Sequence, residues 1–176
     1  TGTVGFVGGG LIPPTIEGKA GFADGAKATN PDVEVLDTIT NSFTDPTAAK
    51  SATAAQLDGG ADVIYSFLDA AHAGAVQASV EAGDDARLIG VISSKCEESR
   101  GLELGDTMVD HAGAIANLVK LAAEGGAESG TVGLEDPEVQ RLEFCADSQA
   151  TDKTKQAVEE AWEALSSGEI EIPEDL

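Results

Sequence analysis

At 176 residues the chain has the length of one domain, or one and a fraction, and enough sequence to bury a real core. Its 32 acidic against 10 basic residues give a formal charge of -22, which repels phosphate backbones and anionic lipid surfaces, so nucleic acid is excluded as a partner. With 41% hydrophobic residues in regular periodicity, the charge reads as a heavily solvated surface on a folded chain and not as disorder. High salt screens such self-repulsion, the Debye length falling to about 3 Å at 1 M, and the composition is that of a halophilic or extracellular protein.

The opening run TGTVGFVGGGLIPP begins with a buried strand over Thr3–Val7 and breaks into three glycines. Read as G-x-G-x-x-G it places Gly8 and Gly10 correctly but Pro13 where the third glycine belongs, and Gly18-Lys19 is followed by Ala20 with no hydroxyl for magnesium. A nucleotide phosphate is therefore not expected here, and the glycines read as a sharp turn at the strand end. Thr15 to Thr29 puts Ile16, Ala20, Ala23 and Ala26 on one helical face, and Asn30-Pro31 stops it. A second strand follows over Val33–Ile39. Asp45 before Pro46 is an N-cap and first-turn pair for a helix running to Leu57 and ended by Gly59-Gly60.

ADVIYSF is a third strand, AHAGAVQASVEAG a third helix and RLIGVI a fourth strand. Four βα units in succession predict a parallel sheet flanked by helices, because parallel neighbours need crossover connections. From Ser93 the rhythm changes to a polar loop reaching Gly105. A helix is then expected over Thr107–Glu124, with Met108, Ala112, Ile115, Val119 and Ala122 in one stripe. Ser129–Leu134 and Val139–Ala146 read as strands. Thr151–Ser166 reads as an amphipathic helix turning Val158, Ala161, Trp162 and Leu165 inward.

Cys96 and Cys145 stand in no metal or redox spacing; a single disulfide and two buried free thiols are both open, the thiols being preferred on sequence alone. His72 and His111 share no metal-ligand spacing, no G-x-S-x-G elbow is present, and Ser93-Ser94-Lys95 lacks a base partner, so neither metal, cofactor nor catalytic constellation is expected. In an open parallel sheet, ligands bind outside the carboxyl ends of the strands. The loops Gly9–Pro14, Asn41–Asp45, Phe67–Gly74 and Ser93–Cys96 are therefore the candidate site. They offer Ile12 and Pro13 as wall, Phe43 and Phe67 as stacking faces, and Asp69, His72, Ser93 and Ser94 as hydrogen-bonding groups.

The segments GTVGFVGG, IEGKAGFADGAKATNPDVEV, SFTDPTAAKSATAAQLDGGADVIY, LIGV and SSGEIEIP, in that order, resemble the basic membrane protein family of bacterial lipoproteins, substrate-binding subunits of ABC transporters that include purine-nucleoside receptors. The resemblance implies a type I periplasmic-binding-protein lobe, Rossmann-like, with residues 1–176 forming the second lobe of a two-lobe protein. It also implies that the helix over Thr107–Glu124 packs on a first lobe supplied from elsewhere or, failing that, drives self-association. Where the family reads I-G-V-D-S-D-Q, with an aspartate that meets the sugar in nucleoside receptors, this chain has Ile89-Gly90-Val91-Ile92-Ser93-Ser94-Lys95, and Asp110 stands where the family often has lysine.

The sequence thus implies a non-enzymatic solute-binding component of an ABC importer, with a permease as partner and a small polar ligand, nucleoside-like at best, held between two lobes. An extracellular or periplasmic location with a lipid anchor on the full-length form follows from the same resemblance. No signal peptide or membrane-spanning run is read in the chain, which looks like a mature or processed piece. The alternative is a sensory or interaction domain that kept the lobe and lost the ligand.

Overall fold

The computed structural model describes residues 2–83, 85–126 and 140–170; the strand expected over Ser129–Leu134 lies outside them. Six strands form one sheet in the order β2-β1-β3-β4-β5-β6: β1 (Thr3–Gly8), β2 (Glu34–Ile39), β3 (Val63–Phe67), β4 (Arg87–Ile92), β5 (Glu103–Val109) and β6 (Gln140–Phe144). All neighbours are parallel except β5 and β6, which run antiparallel. The helices are α1 (Pro13–Thr29), α2 (Pro46–Asp58), α3 (His72–Ala82), α4 (His111–Ala123) and α5 (Asp152–Ser166). Parallel strands cannot return without a crossover, so α1, α2 and α3 carry the chain back between β1, β2, β3 and β4.

The local chemistry sets these bounds. Asp45 caps α2, its carboxylate accepting the backbone N–H of Thr47 at 2.9 Å and of Ala48 at 3.3 Å, while Pro46 fills a position whose N–H has no partner. Thr151 caps α5 through the Thr154 N–H at 3.1 Å. One core cluster joins α2 and α3 to the sheet through Val7, Ala49, Ala52, Ile64, Ala75 and Leu88. Its small side chains let the two helices approach closely: a Cβ on Gly74 of α3 would stand 1.9 Å from the Pro46 carbonyl oxygen of α2. Phe6, Phe22, Tyr65 and Phe67 pack edge to face and offset, with ring centroids 5.3 to 6.5 Å apart.

Three expectations are corrected. Thr107, Met108 and Val109 are strand, pairing with Val91, Ile92 and beyond, so the helix begins at His111 and the polar loop ends at Leu102, where β5 starts. Asp110 is the reason for the boundary: its carboxylate accepts the Gly113 N–H at 2.9 Å and opens α4 there. Cys96 and Cys145 are not free thiols but a disulfide, with Cα atoms 5.4 Å apart. On α5, Val158, Trp162 and Leu165 are half-buried while Ala161 is exposed. Gly9 and Gly10 form the bend expected at the end of β1, and their further role belongs to the site.

Candidate functional site

A cavity of about 610 Å³ opens at the carboxyl ends of the strands. Ile12 and Pro14 at the start of α1, Phe43 from the β2–α2 loop, and Phe67 and Asp69 beyond β3 form one side. Ile92, Ser93 and Lys95 leaving β4, Thr107 and Val109 at the end of β5, and His111 opening α4 form the other. Five successive segments meet here because in a parallel sheet every strand exits on the same edge.

The rim is tied together by backbone bonds. The Phe43 carbonyl accepts the N–H of Asp69 at 3.2 Å and of Ala71 at 3.0 Å, joining the loops after β2 and β3, while Gly9 N–H donates to the Phe67 carbonyl at 3.2 Å. A Cβ on Gly9 would stand 2.2 Å from the Phe43 ring. The glycine run thus clears space for an aromatic wall, which is a close approach and not a phosphate cradle.

At the end of β4 the Ser93 N–H donates to the Val91 carbonyl at 2.8 Å across Ile92, whose φ is 72°. This is a γ-turn with a β-branched residue in the left-handed region, a strained arrangement that costs on the order of 1–3 kcal/mol and aims the Ile92 side chain outward, 46% exposed. The loop behind it is firmly held. Lys95 N–H donates to Asp106 Oδ2 at 2.9 Å, the Lys95 carbonyl accepts from Ser99 Oγ at 2.8 Å, and Cys96 is joined to Cys145 beside β6.

Beneath this loop lies a fully buried polar network. His72 Nε2 lies 3.2 Å from Glu103 Oε2, and its Nδ1 lies 2.9 Å from Ser66 Oγ. Glu103 and Asp106 are three residues apart and would face opposite sides of a regular strand; the register slips between Leu88 and Ile89, so that Leu104 is extra, and both carboxylates lie buried near Gly90. Burial pushes the Asp106 carboxyl up to about 6, and the adjacent Glu103 adds to the rise, although the Lys95 N–H bond favours the ionised form. Cys96, Asp106 and Cys145 bring ligand atoms within 4.8 Å of one another, but the two sulfurs are bonded together and present no thiolate to a metal.

Of the residues singled out from sequence, Ile12, Phe43, Phe67, Asp69 and Ser93 come together on this cavity. Phe67 serves two purposes, its ring packing against Phe6 at 5.9 Å as well as lining the wall. Pro13 starts α1 next to the lining residues, exposed Ser94 stands between Ser93 and Lys95, and Asp110 spends its carboxylate on the α4 cap. His72 does not reach the cavity: it is 1% exposed and committed to Ser66 and Glu103. Sequence reading missed Lys95, Thr107, Val109 and His111. Lys95 carried a signal, being the one lysine or arginine in the four strand-end loops. Thr107 and Val109 were hidden by the helix assignment.

A mostly parallel sheet flanked by helices, with its cavity at the strand ends, is a fold of the periplasmic-binding-protein type. The chain belongs to the family of PnrA-like ABC transporter substrate-binding proteins, Bmp, whose model matches residues 1–175; this is a family of binding proteins, not of enzymes. The fold is similar to that of an ABC transporter solute-binding protein from Conexibacter woesei, at 24% identity and TM-score 0.77, over 97% of this chain and 57% of that one. It is similar also to an ABC transporter solute-binding protein from Aeropyrum pernix (23% identity, TM-score 0.82, 98% and 58% covered). A third likeness is to a transcriptional activator of the comK gene from Bacillus halodurans (24% identity, TM-score 0.81, 97% and 58% covered). The chain therefore spans less than three fifths of the length of these structures. No helix among the described residues is long and apolar enough to cross a membrane.

Proposed function

We propose that this chain is the second lobe of an extracytoplasmic solute-binding protein that closes with a first lobe around a small ligand and hands it to an ABC importer. The observation that carries the reading is the cavity itself: about 610 Å³ at the strand ends, with aromatic and aliphatic walls and a few polar groups, the usual make-up of a small-molecule site. Its family and the two solute-binding proteins of similar fold support the same role. The proposed contacts are Ile12, Phe43, Phe67, Asp69 and Ser93, with Pro13, Ser94 and Asp110 shaping the rim and His72 holding the wall from behind. The first lobe is the proposed cover for α4, which leaves Ile115 60% and Val119 64% exposed. A lipid anchor on the full-length protein and a saline habitat accord with the family and the acidic surface.

Isothermal titration of the full-length protein against nucleosides, nucleobases, sugars and amino acids tests this directly. Heat with at least one of them at micromolar concentration is expected; silence across all four classes rejects solute binding. The ligand-free sensory reading is not favoured, the family being one of substrate-binding proteins.

A further inference from the structure

The cavity wall carries one acid, Asp69, and one lysine, Lys95, on otherwise largely apolar surroundings. Asp69 is held by its backbone, its N–H on the Phe43 carbonyl and its carbonyl taking the His72 N–H at 2.9 Å, while its carboxylate makes no hydrogen bond among the described residues. Lys95 is held more firmly still, by Asp106, by Ser99 and by the neighbouring disulfide, and its ammonium, although its charge is felt by the Asp106 carboxyl, makes no close ion pair among the described residues. Lys95 is the one lysine on the cavity wall, on a chain of charge -22 and with its backbone pinned at three points.

We propose that the solute is a zwitterion with an apolar body: a carboxylate meeting Lys95, an ammonium meeting Asp69, and an aliphatic or aromatic side chain against Ile12, Phe43, Phe67 and Ile92, as in an apolar amino acid. The inference rests on the solute-binding reading above and narrows it. Closing the site over a neutral solute strips water from both charges and matches neither, which is costly. A simple anion is repelled by the acidic surface and by Asp69, and a simple cation is opposed by Lys95. A net-neutral zwitterion meets no such repulsion and satisfies both groups. Ile92, on the same wall, presents an alkyl group to the solute's apolar body.

The test is titration of the full-length protein with the twenty L-amino acids, with adenosine and uridine as neutral comparators. For the tightest amino acid, the N-acetyl and the amide derivatives follow. Each blocked derivative is expected to bind at least tenfold more weakly than its parent. Lys95→Met should weaken the parent tenfold or more and erase its advantage over the amide; Asp69→Asn should do the same relative to the N-acetyl derivative, with circular dichroism confirming that both variants fold. Adenosine or uridine binding with unchanged affinity in both variants overturns the zwitterion while leaving solute binding intact. An amino acid that binds no better than its amide also overturns it, as does the absence of heat with all twenty amino acids, while the solute-binding reading is rejected only by silence across sugars, nucleosides and nucleobases as well.

Discussion

Helices α2 and α4 each have thirteen residues and each is opened by an aspartate whose carboxylate accepts a backbone N–H, yet they end in opposite environments. The first has Leu57 as its one large aliphatic residue and still buries Ala49, Ala52, Thr53 and Gln56. The second carries Ile115, Leu118, Val119 and Leu121 and buries nothing. Burial is thus set by what lies opposite and not by how apolar a helix is. Small residues serve α2 because its neighbours come close, and α3 answers with Gly74 where the two cross. The large side chains of α4 are suited to a partner that the described residues do not contain.

The largest expected effect separates the stapled from the unstapled end. Cys96 and Cys145 close a loop of 49 residues, worth about 4 kcal/mol in the chain-entropy picture. Replacing both with alanine should lower the denaturation midpoint accordingly and loosen the Lys95 loop; an unchanged midpoint means that the bridge constrains nothing. Next comes the α2–α3 crossing. Gly74→Ala drives a Cβ into the Pro46 carbonyl and should cost about 1–3 kcal/mol, whereas Leu118→Ala, 53% exposed on α4, should change the stability of this chain by no more than about 0.5 kcal/mol. Repeating Leu118→Ala in the full-length protein sharpens the contrast: a loss of about 2–5 kcal/mol there is what a covering lobe predicts, and an equally neutral result speaks against one.

The Asp106 carboxyl offers a smaller, pH-dependent test. Its pKa is raised from 3.8 to about 6, so the folded chain holds this proton more tightly than the unfolded chain. The resulting stabilisation is complete below 3.8 and is lost as pH climbs through about 6. Asp106→Asn removes this one contribution, so the stability difference between variant and parent should change sharply across that window and stay level above it. Parallel curves would show that Asp106 ionises normally.

Most of the first four strands and three helices was legible because their periods, caps and breakers agree: Asp45-Pro46, Gly59-Gly60 and Asn30-Pro31 act where they stand in the sequence. Legibility failed where the determinant is tertiary. Thr107 to Val109 fit a helical stripe, and only pairing with β4 makes them strand. The disulfide joins residues with no local signature. His72 looked like a ligand group because it follows a strand-end loop, but the buried Glu103 that claims it lies thirty-one residues onward and reaches it only through the slipped register beside Leu104. Phe43 was readable as a site aromatic, yet the reason for Gly9 became clear only once the Phe43 ring was found against it.

The smallest expected effect bears on the same contrast between shape and composition. Ile92 sits at φ 72° where glycine is at ease, so Ile92→Gly relieves backbone strain while giving up an exposed side chain that packs little. The relief is partly offset by the greater freedom of glycine in the unfolded chain, leaving a net change expected to lie between zero and about 1 kcal/mol of added stability. Chemical denaturation of the two forms measures it. A clear loss of stability would mean that Ile92 is held by packing and not tolerated for position. If stability is kept while solute affinity falls, then the strain at this turn serves to present an alkyl group to the cavity, at the point where the sheet's edge meets its ligand.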